Sequence, residues 1–413
     1  MLIDVTRLLV RFSSGRLPTG IDRVCLAYIR EYAASSRAFL FKAGFGSVFS
    51  DRASRNIFEL LNGPGNGFSL AAVRLFASSP PRPISRRRSA GRILFNIGHS
   101  GLERPSYAAW LREKQVRPVF MVHDLIPITH PEYCRPGEFE RHMTRMRTVL
   151  ETAAGIITNS NDTLLILAAL AHRLGLKMPP AVASPLGSGI DSRDFDSRPL
   201  ADPYFVMIGT IEARKNHWLA LNVWRRLVEL HGGKAPRLFV IGQRGWECEN
   251  ALDLMERCKE LQGNIVEVPG CSDRELVRYL RHAQALIFPS FVEGYGLPLV
   301  EALSLGVPVI ASALPVFREV AGNIPEYLDP LDVLGWLACI EDYRLPKSVR
   351  RSAQLKRISG FVPPTWQSHF EAVESLIERI EHRPGSMSRY PAKLVPEAFR
   401  PVYIPAQERK DRQ

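Results

Sequence analysis

Short apolar runs alternating with longer amphipathic stretches constrain this chain more than any other feature. Runs at 39–42, 93–96, 119–122, 156–158 and 181–184 in the first half, and at 204–208, 238–241, 264–268 and 285–288 in the second, are too short for helices. They read as strands covered on both faces. Between them lie helical stretches such as 138–153 and 161–174, a βαβ rhythm that implies parallel sheets. Residues 2–6 read as the first strand, followed by a polar loop and a helix to about Tyr32. A chain of 413 residues is too long for one core and suits two domains of roughly 150–200 residues. The polar segment 194–203, with two prolines, marks the boundary. The expected fold class is therefore α/β, with domains at 1–195 and 196–365.

Beyond the second domain, Trp366, Phe370, Val373, Leu376, Ile377 and Ile380 recur at helical spacing, predicting a helix over 366–383. The tail 384–413 is punctuated by prolines and ends in charges. No apolar run approaches the ~20 residues that span a bilayer. The N-terminus has no basic segment followed by a small-residue cleavage site, so a secretory leader is not expected. Six scattered cysteines show no metal or redox spacing and read as free thiols of a reducing cytoplasm. The net charge of +12 comes without nucleic-acid motifs, so a nucleic-acid partner is not expected. Arg82 and Arg86, Arg87 and Arg88 fall in a Pro/Ser-rich segment read as a loop, either solvated or facing anionic lipid headgroups. The expected location is cytoplasmic, with peripheral contact at the inner face of the membrane.

Ligands of parallel sheets bind beyond the carboxyl ends of the strands, so the polar words there carry the function. The run 285–288 leads through Glu293, Gly294, Tyr295, Gly296 and Leu297 into a helix at 298–305 that holds Glu301. Two glycines at such a turn let a ligand approach the main chain beside free helix N–H groups. Two carboxylates eight residues apart then meet different parts of one extended ligand. Arg214 and Lys215 follow the strand 204–208, a fork of donors and a point charge suited to a diphosphate. Gly20 precedes the first long helix with its backbone open to a phosphate, and His123 follows directly on the strand 119–122. Trp246, at another glycine-marked strand end, reads as a packing residue.

The words around these residues resemble one family. EGYGLPLVEALSLGVPVIAS at 293–312 is similar to the E-x7-E motif of retaining GT-B glycosyltransferases of the family-four type, which include bacterial mannosyl-, glucosyl- and rhamnosyltransferases. GTIEARKN at 209–216, HDLIPITHPE at 123–132, TGIDR at 19–23, TNS at 158–160 and PLGSGID at 185–191 resemble further segments of it. The resemblance implies the GT-B architecture, two Rossmann-like domains facing each other across a cleft, with the helix after 366 crossing back to the first. It implies transfer of a hexose, with retention, from a nucleotide-sugar donor to a glycan or lipid-linked glycan of the bacterial surface. The word HD-x-x-P-x-x-HP together with GT-x-E-x-RKN most resembles mannosyltransferases using GDP-mannose; UDP- and dTDP-sugars stay open. Arg214 and Lys215 are implied to hold the leaving diphosphate, and Glu301 the ribose. Glu293 and His123 are implied to meet the transferred sugar, with Gly20, Gly294, Tyr295, Gly296 and Leu297 lining the donor. No cofactor or metal is expected; the one Asp-x-Asp word, at Asp194 and Asp196, sits in the expected linker. A GT-B enzyme of another reaction type and a non-catalytic assembly scaffold are the competing readings.

Overall fold

The structure, a computed structural model, describes residues 1–63, 65, 67–189 and 198–382. Most of the expected linker's first half, with Asp194 and Asp196, the end of the 185–191 word and the tail 384–413 lie outside the described residues. The first domain holds β1 (Leu2–Asp4), β2 (Arg37–Lys42), β3 (Phe45–Val48), β4 (Arg82–Pro83), β5 (Ile93–Asn96), β6 (Arg117–Val122), β7 (Gly155–Thr158) and β8 (Ala181–Ala183), in the sheet order β4-β3-β2-β1-β5-β6-β7-β8. The second holds β9 (Tyr204–Ile208), β10 (Arg237–Ile241), β11 (Ile265–Val268), β12 (Leu286–Phe288), β13 (Val309–Ser312) and β14 (Glu326–Leu328), in the order β11-β10-β9-β12-β13-β14. In chain sequence this second order is 3-2-1-4-5-6, the doubly wound arrangement. Its order reverses between β9 and β12, and that of the first sheet between β1 and β5. Strand ends beside those reversals form crevices, which is why the polar words gather there.

Three sequence expectations change. The first strand stops at Asp4, and Thr6–Ser13 is a helix rather than a polar loop, because Leu8, Leu9 and Phe12 share one buried face. The first sheet is not wholly parallel: β3 pairs antiparallel with both β2 and β4. The β2–β3 hairpin turns through Ala43 at φ 52° and Gly44 at φ 84°, two left-handed residues in a turn usually signalled by Asn-Gly. The arginine-rich segment is β4 followed by a helical turn at Arg86–Ser89, pinned by the buried Ser89 hydroxyl donating to Lys114 O at 2.7 Å.

Each sheet is sandwiched between two apolar clusters. The final helix, Trp366–His382, packs on β7 and β8, and its Phe370, Val373, Leu376, Ile377 and Ile380 belong to the first domain's core. Its His369 is buried between Tyr28, whose hydroxyl lies 2.8 Å from Nε2, and the Ser184 carbonyl, 3.1 Å from Nδ1. The carbonyl requires a proton on Nδ1, so Tyr28 donates to Nε2. No described helix is long and apolar enough to cross a membrane.

Candidate active site

On the second domain, two strand-to-helix turns converge. The turn after β9 carries Glu212, Arg214 and Lys215, and the turn after β12 carries Ser290 and Glu293. The backbone stitches them: Phe291 N–H donates to Arg214 O at 2.8 Å. Their side chains then close one cluster. Glu293 accepts from Lys215 Nζ at 2.5 Å, from Arg214 Nη1 at 2.8 Å and from Ser290 Oγ at 2.7 Å. Arg214 Nη2 lies 2.6 Å from Glu212, and the Lys215 ammonium sits 5.1 Å from the centre of the Phe288 ring. Burial works to raise the Glu293 carboxyl, but Arg214 and Lys215 override it and push it down to about 2. Burial pushes the Lys215 ammonium below its ordinary value, against the pull of Glu293. Glu293, expected to meet a sugar, thus orients the two cations.

The first domain supplies the facing wall. His123, 5% exposed, directs Nε2 at Ile97 O at 2.8 Å. A ring nitrogen facing a carbonyl must carry the proton, and burial disfavours a second one on the ring, which leaves Nδ1 as the acceptor. His99 and His142 behave alike, with Nε2 at 2.6 Å from Met121 O and 3.2 Å from Asp124 O; the His99 ring centre is 5.4 Å from that of His123. Burial holds all three imidazoles below the ordinary histidine range. Asn159, from the TNS word, donates to His123 O at 2.9 Å. The TGIDR turn is organised by Asp22, which is fully buried. It accepts from the Thr19 N–H at 2.7 Å and from Arg7 Nε at 2.7 Å, and pairs with Arg11 at 2.9 Å.

The two walls touch. A Cβ at Gly294 would lie 2.5 Å from His123 O and 2.8 Å from Asp124 Cβ, so only glycine permits this approach. Gly296, at φ 105°, starts the helix Leu297–Ser304, and its carbonyl accepts from the Leu299 and Val300 N–H groups. Gly20 faces Leu297, whose Cδ1 is 3.4 Å from where a Cβ would stand. Glu301, 1% exposed, forms an ion pair with Arg23 of the first domain at 2.7 Å. Glu319 accepts from Asn161 N at 2.6 Å and Asp162 N at 3.0 Å, a carboxylate at the other domain's helix N-terminus. Two readings shift here. The Tyr295 ring is buried with its hydroxyl donating to Leu186 O at 2.9 Å, so its side chain serves the domain contact and not a ligand. Trp246 lies under the Arg135 guanidinium of the first domain at 5.9 Å, which makes it part of that contact rather than of a core.

Thus Arg214, Lys215 and Glu293 form one cluster, with Gly294 against His123 and Gly20 against Leu297; Glu301 stands with Arg23. Sequence reasoning missed Glu212, Ser290, Arg23, Arg7 and His99. Glu212 and Arg23 lay inside quoted words, and His99 follows β5 as His123 follows β6, so position at a strand end was the available signal. Among the described residues no three His, Cys, Asp or Glu side chains are grouped to hold a metal ion.

Residues 191–324 match the family model for glycosyl transferases group 1. The serotype-specific mannosyltransferase WbdA of Escherichia coli is 30% identical over 253 residues, 55% of this chain and 31% of that protein. The O-antigen chain mannosyltransferase B of Escherichia coli is 29% identical over 264 residues, covering 60% of this chain and 68% of it. The chain thus matches only about a third of the length of WbdA. Among solved structures, Anabaena HepE in complex with UDP and glucose superposes with a TM-score of 0.62 at 14% identity over 91% of this chain and 98% of HepE. Sucrose-phosphate synthase from Thermosynechococcus elongatus gives 0.59 at 14% identity over 92% and 98%. Residues 191–324 thus match a glycosyl transferases group 1 domain, and the chain has a GT-B fold of two Rossmann-like domains.

Proposed function

We propose that this protein is a retaining glycosyltransferase that moves mannose from GDP-mannose onto a growing, lipid-linked surface glycan at the inner face of the membrane. The observation that carries the transferase reading is the Glu293 cluster. It places an arginine and a lysine at the second sheet's reversal point, directly behind the turn that meets His123. Breaking the bond between sugar and diphosphate builds negative charge on the leaving group and positive charge on the ring. Arg214 and Lys215 would receive the diphosphate, with backbone N–H groups near Gly20 and Gly294, as fixed donors that need no reorganisation. Glu293 holds those cations in place. Glu301 would accept from the ribose hydroxyls, and His123 Nδ1 from a hydroxyl of the transferred sugar. The mannose assignment draws on the relatives, which are named as serotype-specific or O-antigen chain mannosyltransferases.

Product analysis with a panel of GDP-, UDP- and dTDP-sugars tests the reading. GDP-mannose should be consumed in preference, giving a glycoside with the donor's anomeric configuration. Consumption of uridine or thymidine sugars alone would refute the donor, inversion would refute the stereochemistry, and no turnover with any donor would favour an assembly scaffold.

A further inference from the structure

Arg23 projects from the helix Gly20–Tyr32 of the first domain into the second, where it meets Glu301 at 2.7 Å. The guanidinium is 23% exposed and the carboxylate 1%. Its root is rigid, because the preceding residue, Asp22, is locked by Thr19, Arg7 and Arg11. Its tip is confined as well: a Cβ on Gly189 would stand 2.9 Å from Nη2. Two charged groups from different domains are therefore brought into register at the residue assigned to the ribose. A carboxylate so buried stays ionised only beside a cation. The charged groups facing Glu301 are Arg23 and, unfavourably, Asp273 on the helix Asp273–Arg281; burial raises its carboxyl and Arg23 works against that. Arg23 Nη2 has no hydrogen-bond partner among the described residues, so a donor remains unspent at the site.

We propose that Arg23 is a positioning residue of the donor site, reaching across the cleft to keep the Glu301 carboxylate ionised and aimed at the nucleotide's ribose. The second domain then binds its donor fully only when the first domain is closed onto it. This rests on the donor-site reading above. The interdomain pair ties nucleotide affinity to domain closure without any contact between Arg23 and the reacting atoms.

The test measures the dissociation constant of the full chain for GDP, UDP and dTDP, using the tightest binder, at pH 8 and pH 6. The parent should show little change between the two. Arg23→Gln should bind about tenfold more weakly at pH 8 and weaker again at pH 6, because Glu301 without its cation takes up a proton. Arg23→Lys should restore most of the affinity and the flat profile. Glu301→Gln should lose about as much as Arg23→Gln but without pH dependence. The double variant should be no weaker than Glu301→Gln, since both act through one carboxylate. Parent-level binding by Arg23→Gln at both pH values, or losses that add in the double variant, would overturn the inference while leaving the donor site standing. Parent-level binding by Glu301→Gln would overturn both. The lysine variant and the double variant keep the result readable if Arg23→Gln is less stable.

Discussion

Lys215 lies between two demands: its ammonium is buried among apolar neighbours and an arginine, and it stays there because Glu293 accepts from it at 2.5 Å. Lys215→Ala leaves Glu293 buried with one cation fewer, so it should cost about 3–5 kcal/mol of stability, the cost of breaking a buried pair. Donor turnover should fall at least about tenfold at temperatures where the variant is folded, the size of one lost charge-assisted contact. Thermal unfolding and saturating-donor kinetics check the two halves separately; near-normal turnover would remove Lys215 from the site. At Gly294 the constraint is steric. Gly294→Ala sets a methyl 2.5 Å from His123 O, which is backbone and cannot swing away. The domains must part there, so turnover should drop sharply, with about 1–3 kcal/mol of destabilisation from overpacking. An alanine variant with parent activity would mean that the approach of these turns is not needed. These residues were legible because each sits in a local word. Arg23 was not legible as the partner of Glu301, since the pairing belongs to the facing of two domains and leaves no local trace.

The closing helix Trp366–His382 makes its commitment to the first domain through His369. Burial pushes this imidazole down to about 4 from an ordinary 6.5. The folded state therefore binds fewer protons than the unfolded chain between those values, and stability falls as pH drops from 6.5 towards 4. The contribution reaches roughly 3 kcal/mol at most, at 1.36 kcal/mol per unit. His369→Gln keeps a donor for Ser184 but cannot take up a proton. Its unfolding free energy should change less over this range than the parent's, while Asp4, whose carboxyl burial raises to about 7, acts oppositely and equally in both. An unchanged slope in denaturant titrations would clear His369 as its source. The helical period of its apolar residues made this element readable in the sequence. The helix Thr6–Ser13 and the antiparallel β3 were not: one is two turns long, and the other is turned by Ala43 in a left-handed conformation that no sequence signal announced. Short elements draw their stability from what covers them, and periodicity needs length to register.

At the scale of the molecule, the excess of 54 Lys and Arg over 42 Asp and Glu is unevenly spread. On the first domain, Arg37, Arg82, Arg88 and Arg92 line a cavity of about 510 Å³ together with Ser50 and Ser78. Arg37 pairs with Asp51 at 2.9 Å, and no ion pair engages the other three among the described residues. The cavity lies beside the start of β1, at Leu2, whereas the cleft lies beyond the strands' carboxyl ends. Like charges gathered this way repel one another unless an anion sits among them. Each arginine near an anionic bilayer contributes about 1 kcal/mol, falling off within a Debye length of about 8 Å at physiological salt. The expected outcome is binding to phosphatidylserine vesicles that weakens steeply between low and physiological salt. Changing Arg82, Arg88 and Arg92 to serine should reduce it by about a hundredfold, taking roughly 3 kcal/mol from the three charges. Because the cavity and the cleft lie at opposite ends of the sheet, nucleotide affinity should be unchanged in that variant. Vesicle co-sedimentation and nucleotide titration on the same preparations separate the two effects. If the triple variant binds vesicles as well as the parent at low salt, this cavity does not anchor the protein, and the basic surplus must act elsewhere.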